Sequence, residues 1–236
     1  MGQKRQILTK DLVLTALAAA LLSAGKQALA SIPNVEVVTL LIMLYAACFK
    51  PQIAFTATAV YIFIECFIWG LNTWVIAYLI HWNFVAFATF LLARVFKFKN
   101  RFIYLAFTIL VTAAFGVLTT TIDAIVSASK SRYTFGAFFV AIYVRGIYFY
   151  IVHVVGNAVF NITLFAPLRD ILNGLMVKYY GKDVFLKEEK PAGKDGKQKI
   201  SKAGKPVTQL TEREECDKII SDLSQRESFE GSDKKK

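Results

Sequence analysis

The sequence has little with which to do covalent or metal chemistry. It holds 3 cysteines and 2 histidines in 236 residues. Cys48, Cys66 and Cys216 stand far apart, and none has a second Cys or a His at metal-ligand spacing. The first two sit inside apolar runs, where a thiol serves as a small hydrophobe. No His-Glu-x-x-His, no Gly-x-Ser-x-Gly and no phosphate-binding glycine loop occurs. Without a Walker motif, the chain has no familiar means of using ATP unaided. His81, His153 and Glu65 fall on three separate apolar runs, which argues against an intramembrane metalloenzyme. No catalytic residue, cofactor or metal is therefore expected. Acidic residues are also few, 17 against 28 Lys and Arg. Only 5 of those 17 lie in residues 1–170, together with 13 of the Lys and Arg. No basic stripe with interleaved aromatics lies outside the apolar body, so the net charge of +11 does not read as a nucleic-acid surface.

What is present is hydrocarbon. Hydrophobic residues make up 56% of the chain, and the mean hydropathy is +0.47, high for a soluble domain of this length. Apolar runs cover residues 11–30, 37–49, 52–70, 74–95, 102–127 and 135–168. About 20 residues cross a hydrocarbon core of ~30 Å; the second run is short. The first run is too long for a cleavable signal peptide and leads straight into the others. The pattern predicts an all-α, polytopic membrane protein: a six-transmembrane-helix bundle in residues 1–170. A charged, Lys-rich cytoplasmic tail, 171–236, is expected to be mostly disordered. A capping box at Thr211-Glu-Arg-Glu214 opens a possible short helix over 211–224. Lys4, Arg5, Lys10, Lys50, Arg94, Lys97, Lys99, Arg101 and Arg169 fall on one side of such a bundle. Lys26, Lys130 and Arg132 fall on the other. The positive-inside rule then places both termini in the cytoplasm of a multi-pass protein of the bacterial plasma membrane. The tail's basic residues would rest against anionic lipid.

The stretch from Lys26 to Thr39 breaks the first two runs. Pro33 cannot continue a helix and pushes Ile32 out of the helical region. Asn34 suits the N-cap of a new helix, and Glu36 its first turn. In the predicted topology this break faces outward, and so do the outer ends of the other runs. Lys26, Asn34, Glu36, Glu65, Asn72, Trp74, Tyr78, Trp82, Asp123, Arg145 and Tyr148 then share the outer half of the bundle, with His81 and Thr119–Thr121 nearby, His153 about mid-depth and Asn157 a turn deeper. Charged groups inside spans are costly and face a bundle interior or a watery cavity. Gathered from several helices at one depth, they predict an outward-open solute pocket with aromatic walls. Taken singly, Trp69 and Trp74 also fit an interfacial belt, Arg145 a structural partner for Asp123 or Glu65, and His153 a hydrogen-bonded bundle histidine.

In the first run Ala16, Ala20, Ala24 and Ala28 recur every four residues, with Ala19 and Ser23 beside them. Such a smooth face lets another helix approach closely. The spacing alone fits packing inside this protein's own bundle as well as docking of a partner.

Four stretches carry a family likeness: the alanine face from Ala16 to Ala24; Lys26-Gln-Ala-Leu-Ala-Ser-Ile-Pro-Asn-Val-Glu36 running into Thr39; Glu65 followed by Trp69-Gly-Leu-Asn-Thr-Trp74; and His153-Val-Val-Gly-Asn157 with Leu164-Phe-Ala-Pro-Leu168. Over residues 8–170 the chain resembles the substrate-binding S components of energy-coupling factor (ECF) transporters. The resemblance implies a six-helix bundle that captures a vitamin-like small molecule near its outer end. It implies that Ala16, Ala20 and Ala24 dock a transmembrane T component coupled to two cytoplasmic ATPases. Aromatic walls with Arg145 and several carboxylates would suit a planar or bulky vitamin, such as a flavin, pterin or corrinoid. The long charged tail departs from the family's usual body. Two other classes compete: a membrane enzyme acting on lipid or isoprenoid substrates, for which no motif is found, and a membrane scaffold acting through its basic tail.

Overall fold

The structure is a computed structural model that describes residues 9–96 and 100–180. These residues are helical apart from short connectors, with no strand among them. In order they form α1 (Thr9–Ala28), α2 (Val38–Cys48), α3 (Pro51–Trp69), α4 (Thr73–Phe96), α5 (Arg101–Ser129) and α6 (Phe135–Phe160). A π-helical turn (Asn161–Phe165) and α7 (Ala166–Tyr180) follow. Residues 171–180 of the expected tail are helical, as part of α7; the disorder expected beyond them and the helix over 211–224 lie outside the described residues. By its internal contacts the chain falls into two units, Met1–Leu168 and Arg169–Lys236. Helices α1 to α6 belong to the first.

Local chemistry explains most boundaries. Pro51 sits in the first turn of α3, where its missing N–H costs nothing. Gly70 ends α3 at φ +76°, a region open to a residue without Cβ. The Asn100 side chain accepts from Phe102 N at 2.9 Å to open α5, and the Thr134 hydroxyl accepts from Ala137 N at 3.4 Å to open α6. The start of α2 differs from the expectation. Its N-cap is Val37, with no side-chain cap, and no acidic residue lies in its first turn. Asn34 instead takes φ +59° in the connector, and Glu36 precedes the helix. Asn tolerates the left-handed region as readily as it caps, and here the turn after Pro33 uses the first property.

Among the described residues four helical runs are long and apolar enough to cross a membrane: Pro51–Trp69, Thr73–Phe96, Arg101–Ser129 and the continuous stretch Phe135–Tyr180. α1 has 20 residues with charges at both ends. α2 has 11, about 16 Å of helix, half a bilayer core. Nevertheless 9 of its 11 residues are buried, because it packs against α1, α3, α4 and α6. The shortest helix is thus the hub of the first unit.

The core is mostly apolar, and so is much of the surface. Phe63, Phe67, Ile80, Phe84, Val144, Ile147 and Ile151 are exposed, while Glu65, His81, His153, Asn157 and several threonines are buried. On α6 only His153 and Asn157 are buried. Apolar surface on this scale is compatible with a membrane protein. Three of the six buried threonines are spoken for within their own helices. Thr58 donates to Ala54 O at 2.9 Å, Thr108 to Tyr104 O at 2.9 Å, and Thr112 to Thr108 O.

α5 and α6 form the most extensive helix pair. Gly116 of α5 lies under the ring of Tyr150, where an added Cβ would meet Cγ at 2.8 Å. The Tyr150 hydroxyl lies 2.7 Å from Thr120 Oγ1. Gly116→Ala is therefore expected to push α6 outward and lower stability by about 1–3 kcal/mol, the usual range for overpacking. The thermal midpoint of the full-length protein in detergent measures this. In a Tyr150→Ala background the same change should cost little; additive losses would show that the ring is not what the glycine accommodates.

Candidate functional site

Lys26 ends α1, where an ammonium suits the negative end of the helix dipole. Gly25 beside it allows the close approach of Val37, whose Cγ2 lies 2.7 Å from where a Cβ would stand. The Lys26 ammonium makes an ion pair and hydrogen bond with Glu65 Oε2 of α3. It donates a second hydrogen bond to Tyr78 OH of α4 at 2.8 Å. It also lies 4.4 Å from the Tyr78 ring centroid and 5.1 Å from that of Trp74, close enough for cation–π attraction. Glu65 is wholly buried. A buried ion pair is tolerated only when further hydrogen bonds and dipoles offset desolvation, and Tyr78 and Trp74 supply them here.

Tyr78 opens a chain of rings. It contacts Trp74 (5.3 Å between centroids), Trp82 (5.6 Å) and Phe115 of α5 (5.9 Å). Trp82 stacks on Phe115 at 5.7 Å. His81 lies 4.7 Å from each of Trp82 and Phe115. Phe115 reaches His153 of α6 at 5.4 Å. Trp69 joins the far end through Trp74 at 6.2 Å.

The chain of rings ends at a second carboxylate. His153 Nε2 lies 3.4 Å from Glu36 Oε1, within ion-pair range but without the geometry of a hydrogen bond. The Thr39 hydroxyl donates to the same oxygen at 2.9 Å. Burial alone would raise the Glu36 carboxyl. The His153 imidazole, the Thr39 hydroxyl and the Lys26 charge more than offset this, and hold it below the ordinary carboxylate value. Glu36 is therefore ionised at neutral pH. Asn157 donates to His153 O at 3.1 Å, one turn along α6.

Of the residues expected in the pocket, Lys26, Glu36, Glu65, Trp74, Tyr78, Trp82, His153 and Asn157 thus meet in one network. Asn34 and Asn72 are exposed, the latter donating to Trp69 O at 2.7 Å. Asp123 is half-buried, and Arg145 and Tyr148 are exposed. Among the described residues Arg145 makes no ion pair with Asp123 or Glu65. Phe115, at the centre of the network, was not expected: one phenylalanine among 20 carries no mark in the sequence. Thr39 and His81 were visible only as neighbours of expected residues. Ala16, Ala20 and Ala24 all lie on the exposed face of α1, while Ala18, Ala19 and Leu22 turn inward.

The groups of this network fix charge and aromatic surface in place. Glu36, Glu65 and Lys26 are each held by partners. Among the described residues no three His, Cys, Asp or Glu side chains come together as a metal cluster. Comparison with protein-family models, with curated proteins and with solved structures gives no match.

Removing one partner of a buried ion pair strands the other charge and costs about 3–5 kcal/mol. Lys26→Met and Glu65→Gln should each lower the thermal midpoint by a corresponding amount, and the double substitution should recover most of the loss. Losses that simply add would mean that the two side chains do not depend on each other.

Proposed function

We propose that this chain is the solute-binding S component of an ECF-type importer in the bacterial cell membrane. It captures a vitamin-like micronutrient from outside and delivers it inward with a transmembrane T component and two cytoplasmic ATPases. In this reading α1 to α6 are the six membrane helices, with both termini inside. The observation that carries the proposal is the charged, aromatic network described above. It is enclosed in an otherwise apolar bundle and assembled from α1, the first connector, α3, α4, α5 and α6.

Two features support the reading. The first is the length of α2. Irregular backbone at membrane depth is tolerated where protein buries it or where it lines a cavity. A short central helix leaves the connector with Glu36 to do that lining. The second is the exposure of Ala16, Ala20 and Ala24. The protein's own bundle leaves these residues uncovered, so the alanine face remains open to a second membrane protein, and small residues let helix backbones approach.

The test separates docking from binding. Ala16→Trp and Ala20→Trp should reduce uptake by co-expressed importer modules at least tenfold, yet leave solute binding by the purified chain unchanged. Normal uptake by both variants would remove the docking role from this face.

A further inference from the structure

Charge enclosed in an apolar bundle is costly unless it is matched. Two groups of the network are carboxylates, Glu36 in the first connector and Glu65 on α3. Lys26 of α1 supplies one positive charge. Its ammonium is hydrogen-bonded to Glu65 and Tyr78 and acts on Glu36 only at longer range. The group beside Glu36 is His153, whose Nε2 lies 3.4 Å from Glu36 Oε1. With a neutral imidazole these four side chains carry one uncompensated negative charge. With an imidazolium they are balanced, two against two.

The other elements packed around the pair add no further countercharge. α2 brings the Thr39 hydroxyl and no charged residue. α3 and α4 bring Tyr61 and Tyr78, which are within electrostatic reach of Glu36 but are uncharged as phenols near neutral pH. His81 of α4 is in reach of both Glu36 and His153. It is packed on the rings of Trp82 and Phe115 and makes no ion pair among the described residues. Asp123 of α5 and Arg145 of α6 lie eight residues from Phe115 and His153 respectively, about 12 Å of helix.

The pair also joins two elements with little other hold on each other. α6 packs mainly on α5, and its contact with α2 is slight. Only His153 and Asn157 of α6 are buried. Gly156 faces Val35 of the connector at an ordinary contact distance, 3.9 Å from where a Cβ would stand to Val35 Cγ2. Among the described residues Glu36 and His153 make the one charged tie between connector and α6. The connector's own backbone bonds are local turns, Ile32 N to Leu29 O at 3.0 Å and Val35 N to Ile32 O at 3.3 Å. Residues 30–34 are exposed.

We propose that Glu36 and His153 form a proton-operated latch: an imidazolium at His153 holds the first connector against α6 through Glu36, and loss of that proton to water releases the connector. Glu36 stays ionised throughout, so the histidine alone sets the state of the latch. Histidine side chains exchange their proton between about pH 5 and pH 8, which puts the change in the physiological range. The latch goes beyond the solute-capture reading and does not depend on it.

Amide hydrogen exchange of the purified full-length protein in detergent reads the connector directly. Exchange over residues 29–37 is compared between wild type and His153→Gln at the same pH, so that the intrinsic pH dependence of exchange cancels. At about pH 5.5 the variant should exchange there roughly fivefold faster or more, and at about pH 8.5 the two proteins should agree. Residues 53–61 of α3 serve as the unaffected reference. A histidine that only fills space gives the same ratio at both pH values. Glu36→Gln removes the other half of the pair and should show the same pattern; it stands in if His153→Gln does not fold. His81→Gln, which removes the other of the 2 histidines, should give one ratio at both pH values. Three results overturn the latch: a His153→Gln ratio that does not change with pH, a pH-dependent ratio confined to His81→Gln, or wild-type protection of the connector, relative to α3, that is the same at both pH values. The last needs no variant.

Discussion

The buried ion pair between Lys26 and Glu65 is the constraint on which the rest of this fold depends. Two opposite charges held where one of them has no solvent exposure need partners on every side. The pair recruits them from three helices: Lys26 from α1, Glu65 from α3, and Tyr78 and Trp74 from α4. It therefore fixes the relative register of those helices at one end of the bundle. At the other end of α1, Asp11 and Lys50 approach to 3.4 Å, tying the start of α1 to the turn between α2 and α3. α1 is thus pinned at both ends, which lets its middle stay smooth and its alanine face point away from the bundle.

The same logic explains why a helix of 11 residues can be the core. α2 is surrounded by longer helices and buries almost every side chain. It needs no length of its own to meet a surrounding solvent. Its shortness leaves depth for the connector before it, and that connector delivers Glu36 to His153 and Thr39. A longer α2 would have absorbed Glu36 into a helical turn, and the second carboxylate would then be placed by helix geometry rather than by the connector.

Much of the helical pattern is legible in the sequence because its punctuation is chemical. Lys50-Pro51, Gly70, Asn100 and Thr134 each mark a boundary through a property that acts locally. Asn34 misled because one side chain serves two local purposes. In the site, depth was legible and direction was not. Polar residues at similar depth along neighbouring runs were grouped together, but a helix turns by about 100° per residue. Tyr148 lies five residues before His153, about 140° around α6, and is exposed; Arg145, eight before, lies about 80° away and is exposed too. Glu65 and Tyr78 lie on the inward side of their helices, and so they meet. Phe115 had no polar signal to find; only the packing of α4 against α5 and α6 gives it a role.

The state of Glu65 explains how such a site could receive a molecule without being dismantled. A carboxylate has two oxygens and room for about four hydrogen bonds. Lys26 occupies Oε2, while Oε1 is buried and has no hydrogen-bond partner among the described residues. A donor reaching Oε1 would add an interaction and leave the ion pair whole, once the side chains that seal this atom had moved aside. A site organised the other way, with the solute replacing one member of the pair, would have to break the contact that holds three helices together. In the proposed transport reading, recognition and the integrity of the bundle thus use different atoms of the same residue.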